Sequence, residues 1–285
     1  MSKTKRKPWK KNLYENQGYE DNYTDPSFLK ELATNKDLKI FDYREAVRGA
    51  SRLVFQGSIV TFFLIIFYYL YDERISPSAV FLYSSIATIF GFFCYIGKEI
   101  NVSTCVENSR TGVCVLVFGY IFSPLLHTLT DSISTDTIFS TTGFVMFLHL
   151  VFYDYGISSF IVSKAISLNA AIFGAICLAS RLSSSFHAFV LLTMSSEFFA
   201  LGPILVDRIW TPYLVLPASA VCSYFLYQIS TPVLVTYLWF LFFLNIVCPY
   251  IFWRQQENKK TIFGPWDEAI VDEIDVNKDD KKKQR

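Results

Sequence analysis

Ionisable side chains are scarce in the middle of this chain, so each one that could do chemistry can be weighed. The stretch SPLLHTLTDSISTDTI, residues 123–138, carries His127, Asp131 and Asp136 among a run of hydroxyls. An imidazole with two carboxylates can serve as an acid–base set or as metal ligands. The same residues also suit a capped turn: Pro124 and the hydroxyls would end one helix, and Thr135 or Asp136 would cap the next. A third use is contact with a lipid or a partner.

HLVFYDYG, residues 149–156, puts His149 on a helix face and Asp154 in a tight hairpin. Lys164 follows, one or two turns into the next apolar segment. An ammonium at a membrane interface can reach a lipid phosphate, so His149, Asp154 and Lys164 form a candidate headgroup site. Packing is the plainer use of a lone helix-face histidine. Glu197 stands inside an apolar run, where an ionisable group costs ~2.5–3.5 kcal/mol on insertion scales and is usually paired or functional. Lys164 and Glu197 lie on consecutive segments, about eighteen residues before and about fourteen after the turn near Leu182. At the helical rise their depths differ by ~6 Å, so a buried Lys164–Glu197 ion pair is expected.

SLNAAIFGAICLASRLSSSFHAF, residues 167–189, spaces Ala170, Ala171, Gly174, Ala175 and Ala179 along one helix. Small residues let membrane helices approach closely. Arg181 and His187 sit at the exit of that segment, where long polar side chains can snorkel. Near the start, TDPSFLKELATNK offers Asp25 as a helix cap, Pro26 at the first helical position, and Phe28, Leu29 and Leu32 on one apolar face. Near the end, FGPWDEA makes a Gly-Pro turn ahead of Trp266. Phe28, Leu32 and Trp266 are candidates for membrane-surface anchoring or for docking another subunit.

The elements that must position these residues follow from composition. The chain has 285 residues, of which 52% are hydrophobic and 18% aromatic, and its net charge is +1. Only twelve charged residues fall between Ile75 and Tyr250, and none between Ile209 and Trp253. A soluble domain needs charge along its whole length to cover its surface. Crossing ~30 Å of hydrocarbon at ~1.5 Å per residue takes ~20 apolar residues. The pattern predicts an all-α polytopic membrane protein, a bundle of about eight transmembrane helices with short loops. The spans fall near 53–71, 78–97, 113–127, 137–153, 157–180 and 185–206, with two more in 209–253 split at QISTP, residues 228–232. The expected organisation is a 1–52 arm with a short amphipathic helix, a 53–253 bundle, and a 254–285 tail.

Lysine and arginine placement sets orientation. Lys3, Lys5, Arg6, Lys7, Lys10 and Lys11 precede the first span, and Arg254, Lys259, Lys260 and KKKQR follow the last. Both termini are expected in the cytosol, which requires an even number of spans. The loop with Asp131 and Asp136 then faces the lumen. The sequons at Asn22 and Asn101 fall on the cytosolic side and are expected to carry no glycan. No apolar core follows the basic start for forty residues, so the first span is expected to act as a signal-anchor. The final KKQR fits a dilysine retrieval signal of the endoplasmic reticulum. The six cysteines are scattered, with no CxxC pair, and read as small buried side chains. No phosphate-cradling loop, GxSxG or HExxH motif occurs. No catalytic residue, metal or cofactor is assigned.

In this order, WKKNLYENQGYEDNYTDPSFLKEL, SPLLHTLTDSISTDTI, HLVFYDYG, SLNAAIFGAICLASRL with FHAF, and GPWDEA resemble the C subunit of phosphatidylinositol N-acetylglucosaminyltransferase. The resemblance covers roughly residues 9–269, and residues 207–255 match it in hydrophobicity alone. It implies membership of a multi-subunit complex of the endoplasmic reticulum membrane. That complex transfers N-acetylglucosamine from UDP-GlcNAc to phosphatidylinositol on the cytosolic face, the first step of GPI-anchor synthesis. A different subunit is taken to be catalytic, so this chain is expected to scaffold it and to present the lipid. The implied partners are the other subunits and phosphatidylinositol, with no nucleic acid. Two other classes stay open on the residues alone. One is a stand-alone polytopic lipid glycosyltransferase using lumenal acids such as Asp72 and Glu73; the other is a lipid transporter or scramblase.

Overall fold

The computed structural model describes residues 18–20, 23, 33–34, 40–97, 102–130, 132–156, 161–259 and 262–263. Of these, 33–34, 102–104 and 262–263 are described by their backbone alone. Phe28, Leu32, Asp131 and Trp266 lie outside the described residues, as do residues 24–32 of the expected amphipathic helix.

Among the described residues the chain forms eight helical rods. They are α1 Tyr43–Tyr71, α2 Pro77–Ile96, α3 Val102–Thr128, α4 Thr135–Phe152, α5 Lys164–Ala179, α6 Ser185–Ile209, α7 Val215–Ile229 and α8 Thr231–Asn258. Six are long and apolar enough to cross a membrane; α5 and α7 are shorter. The protein is an all-α polytopic membrane fold. α1 begins ten residues before its apolar run and α3 eleven before its own, because helical hydrogen bonding continues where the side chains turn polar.

Helix starts carry legible signals. Ser134, Ser163 and Ser184 cap α4, α5 and α6, each accepting from the backbone N–H three residues on. The cap of α4 is therefore Ser134, with Thr135 and Asp136 already helical. Pro124 does not end α3, which continues to Thr128. The Thr128 hydroxyl donates to the carbonyls of Pro124 and Leu125.

Two prolines inside long helices leave a different trace. Pro203 in α6 and Pro249 in α8 lack the N–H that would reach four residues back. Just before each, the helix widens into a π turn, Glu197–Leu201 and Phe243–Val247. There Gly202 N–H bonds Glu197 O and Cys248 N–H bonds Phe243 O. The widening shifts the register of the side chains in the turn, and Phe199 is buried as part of the core.

α1 is the axis of the bundle. One face packs Val60, Phe63, Phe67 and Leu70 against Met146 of α4, Ala171, Ala175, Leu178 and Ala179 of α5, and Leu191 and Phe199 of α6. Another face packs Ile65 and Tyr69 against Cys222 and Leu226 of α7 and Tyr237 of α8. The Tyr237 hydroxyl lies 2.9 Å from that of Ser58, which itself donates to Val54 O. The small residues of α5 are spent on packing within the chain: Ala171, Gly174, Ala175 and Ala179 are all buried. A Cβ on Gly174 would stand 2.8 Å from Met146 Cε and 3.1 Å from Val145 Cγ2. α2 and α3 are exposed along nearly their whole apolar length, as suits helices that face lipid.

Residues 1–41 with 254–285 make up a second compact unit. Within it, β1 Ala33–Thr34 and β2 Ile262–Phe263 pair antiparallel, Ala33 opposite Phe263. Gln256 grips the backbone of Phe41 from both sides, accepting from its N–H at 2.6 Å and donating to its carbonyl at 2.9 Å.

Gly174→Val should separate α4 from α5 and lower stability by about 1–3 kcal/mol, the usual range for overpacking. Gly174→Ala should cost less, because the Met146 terminus can move aside. Thermal unfolding of the purified protein in detergent checks the order.

Candidate functional site

Polar side chains gather at two levels of the bundle, and the helix connections put them at opposite ends. One end holds the α3–α4 and α5–α6 turns. His127 Nε2 sits 2.8 Å from Leu182 O, and the Thr130 hydroxyl donates to Ser180 Oγ at 2.5 Å. The Arg181 guanidinium donates to Thr130 O, and the Ser123 hydroxyl to Ser185 O. His187 Nδ1 lies 2.7 Å from its own cap, Ser184 Oγ. His127 and Arg181 thus stitch one turn to the other, while Asp136 is exposed on the first turn of α4. Among the described residues no three His, Cys, Asp or Glu side chains come together as metal ligands.

The other end is built by α1, the end of α4, the start of α5 and the end of α6. His149 is 1% exposed and held on both ring nitrogens. Gln56 Nε2 lies 2.8 Å from Nε2, and Ser167 O lies 2.9 Å from Nδ1. With a proton on Nδ1, the ring donates to Ser167 O and accepts from the Gln56 amide, which satisfies both nitrogens. The Ser167 hydroxyl closes the knot by donating to His149 O at 3.1 Å. Phe199, delivered by the π turn of α6, packs edge-on to the imidazole with centroids 4.9 Å apart. His149 is therefore a buried tie between α1, α4 and α5, set beneath the more accessible groups.

Those groups lie just outside α4. Asp154 Oδ1 accepts from Gly156 N–H at 2.8 Å, an Asx turn, and Oδ2 lies 3.2 Å from Lys164 Nζ. The Gly156 N–H lowers the Asp154 carboxyl below its ordinary value; partial burial opposes this, and Lys164 and Arg52 add to it. Lys164 is the first residue of α5, not one or two turns inside it. Its ammonium meets Asp154 and does not reach Glu197. The reason is local: residues 161–163 precede the helix, and Ser163 N–H bonds Phe152 O, which seats the start of α5 beside the end of α4. Glu197 instead lies near the hydroxyls of Thr88 and Ser84 on α2, and the Ser84 hydroxyl donates to Phe81 O.

Arg52 of α1 joins this end together. Its Nη1 donates to Tyr155 O at 2.9 Å, and its guanidinium lies 5.3 Å from the Trp210 ring centroid. Phe55 supports Trp210 from the side at 5.5 Å. Arg52, Gln56, Tyr153, Asp154, Asp207 and Trp210 line a shallow, open depression at this end. Burial raises the Tyr153 phenol to about 12, Asp207 and Asp154 add to the rise, and Arg52 opposes it. Tyr153 is therefore a neutral hydroxyl throughout the physiological range.

The structure thus gathers Asp154 and Lys164 with His149 just beneath, and adds four residues that sequence reasoning missed: Arg52, Gln56, Asp207 and Trp210. Arg52 and Gln56 are one helical turn apart on α1, and Asp207 and Trp210 are three apart at the end of α6. That spacing was the available signal.

The phosphatidylinositol N-acetylglucosaminyltransferase family profile matches residues 9–267, which includes every residue of both ends of the bundle. The chain belongs to this family. Relatives named as the C subunit of phosphatidylinositol N-acetylglucosaminyltransferase are 35% identical in Mus musculus, over 93% of both chains, and 35% identical in Homo sapiens, over 96% of both. A Schizosaccharomyces pombe relative, named a subunit of the same transferase, is 27% identical over 93% of this chain and 87% of its own. No solved structure matches.

In this family fold, Gly156 has φ of +79°, and a Cβ there would collide with the Arg52 guanidinium. Gly156→Ala should strain the turn and push Arg52 off Tyr155 O. Expected outcomes are a loss of about 1 kcal/mol or more of stability and faster amide exchange through residues 153–156. Hydrogen-exchange mass spectrometry reads the second directly.

Proposed function

We propose that the chain is a non-catalytic membrane subunit of the complex that transfers N-acetylglucosamine from UDP-GlcNAc to phosphatidylinositol, the first step of GPI-anchor synthesis. The observation that carries this reading is the family match across residues 9–267, joined to relatives that are named as subunits of that transferase. The chain scaffolds the catalytic subunit and holds the inositol lipid at the end of the bundle formed by His149, Asp154 and Lys164. Phe28, Leu32 and Trp266, on the two terminal arms, dock the other subunits.

The bundle sits in the endoplasmic reticulum membrane with both termini in the cytosol. Three features support this. Lysine and arginine crowd both ends of the chain. The count of helices among the described residues is even. The terminal arms hydrogen-bond to one another through β1–β2 and through Gln256 and Phe41, which two segments on opposite sides of a bilayer could not do. On this orientation the Asp154–Lys164 end shares the cytosol with the sugar nucleotide. The His127–Arg181 end faces the lumen and acts as a structural clamp.

The test is a microsomal transfer assay. With the gene deleted and labelled UDP-GlcNAc supplied, GlcNAc-phosphatidylinositol should disappear. The purified chain in phosphatidylinositol vesicles should form none by itself. Product from the chain alone would make it an enzyme, and normal product in the deletion would remove it from the pathway step. Lipid flux across partner-free vesicles would point to a transporter or scramblase.

A further inference from the structure

The two halves of α6 are covered differently. Around Phe189 the helix has a neighbour on either side: the Phe81 ring of α2 stands 5.6 Å away and the Tyr120 ring of α3 5.5 Å. Ser123 and His127 of α3 extend that contact to Ser185 and Leu182, and α3 packs on α6 through Ser185–Ser196. Beyond that level α2 stays close, since a Cβ on Gly91 would stand 3.1 Å from Leu205 Cδ2. There α3 gives α6 little cover. Residues 106–115 of α3 are all exposed, and Leu201 and Ile204 of α6 are 50% and 52% exposed.

Glu197 stands where the cover ends, midway between Ser185 and Ile209, and it is only half-buried. It opens the π turn Glu197–Leu201, a feature that recurs at functional positions in helices. Its near polar neighbours are the Thr88 and Ser84 hydroxyls, and the second of these also donates to Phe81 O. Neither brings a counter-charge. Among the described residues the ion pairs are Arg74–Asp72 and Lys164–Asp154, so no cation of this bundle reaches Glu197. Every lysine and arginine in residues 42–253 stands outside an apolar run or at its edge. A second copy of the chain therefore has no mid-span cation to offer either. Acyl chains can cover Leu201 and Ile204, but they give a carboxyl nothing. An acid at that depth is met by a partner's polar group, and polar side chains join membrane helices in this way.

We propose that the uncovered half of α6, with α2 beside it, seats a transmembrane helix of another subunit, and that this helix brings a lysine or arginine at mid-membrane to Glu197. Leu201 and Ile204 supply the apolar contact, and Glu197 sets which helix fits and at what depth. This rests on the reading of the chain as a subunit of a membrane complex. It adds a docking surface inside the bilayer to the two terminal arms outside it.

The experiment uses the full chain, tagged, in its native membranes. A photoreactive benzoylphenylalanine replaces Leu201, with Tyr224 on the exposed face of α7 as the control position. Mass spectrometry identifies the peptide captured on illumination. Position 201 should capture a transmembrane segment of another subunit that carries a lysine or arginine in mid-span, and position 224 should not. Glu197→Gln should then cut recovery of that subunit with the tagged chain about tenfold or more, while the melting curve of the purified chain matches wild type. Glu197→Lys should do the same, and exchanging the partner's cation for glutamate should restore recovery. Capture of lipid alone, of a second copy of this chain, or of a helix without a mid-span cation would overturn the proposal. So would a Glu197→Gln chain that melts lower yet keeps its partner, which would make Glu197 an internal packing residue. If other subunits stay bound and Glu197 variants change nothing, the seam is refuted and the subunit reading stands. A wild-type chain that recovers no other subunit would remove that reading itself.

Discussion

Hydrocarbon offers no hydrogen bonds, so the polar groups this chain carries into the bilayer are drawn to partners inside the chain; among the described residues the buried Thr142 hydroxyl of α4 is left without one. That constraint arranges the rest. Ser58, Tyr237 and Cys222 satisfy one another and the Ser58 carbonyl where α1 meets α7 and α8. Glu197 lies beside the Thr88 and Ser84 hydroxyls of the neighbouring helix α2. His149 is tied on both nitrogens where α1, α4 and α5 meet. With polarity in the slab so consumed, the accessible charge is driven to the two ends of the helices. The ends then differ in what they do with it.

At the end with residues 123–138, polar side chains are turned inward on backbone carbonyls of the facing hairpin. His127 on Leu182 O and Arg181 on Thr130 O fix two turns against each other. Little is left over to bind or react. At the opposite end the charges are paired more loosely. The Lys164 side chain is 78% exposed even while paired to Asp154, and exposed pairs of this kind contribute only ~0–1 kcal/mol. Such a pair costs little to open for a ligand. One end is thus a stiff clamp and the other a more loosely paired set of charges.

Much of the bundle was legible because hydrophobic length is a direct physical requirement for crossing a membrane. The scarcity of charge between residues 75 and 250 announces the class, and QISTP divides the last apolar run where Ser230 separates α7 from α8. Helix ends were harder. α1 and α3 run on past their apolar stretches because backbone hydrogen bonding is indifferent to whether the side chains suit lipid. Pro124 was an unreliable stop for the same reason: the helix loses one backbone donor there and still continues to Thr128. The partner of Lys164 differs from the expected Glu197 because apolar composition alone does not mark where the helix begins. With the start of α5 at Lys164, the ammonium lies not at mid-membrane but at the loop, beside Asp154. Arg52, Asp207 and Trp210 were missed because they come from elements about 150 residues apart in sequence, and only tertiary packing brings α1 against the end of α6.

The central claim is that the Asp154–Lys164 end of the bundle faces the compartment that supplies the sugar nucleotide. Single cysteines placed at Lys164 and at Ser132, in a chain whose six native cysteines are replaced by serine or alanine, test it directly. Sealed microsomes are treated with a membrane-impermeant maleimide before and after permeabilisation. The account predicts labelling at 164 in intact microsomes and at 132 only after the membrane is opened. Labelling at 132 alone in intact vesicles would invert the bundle and contradict the account.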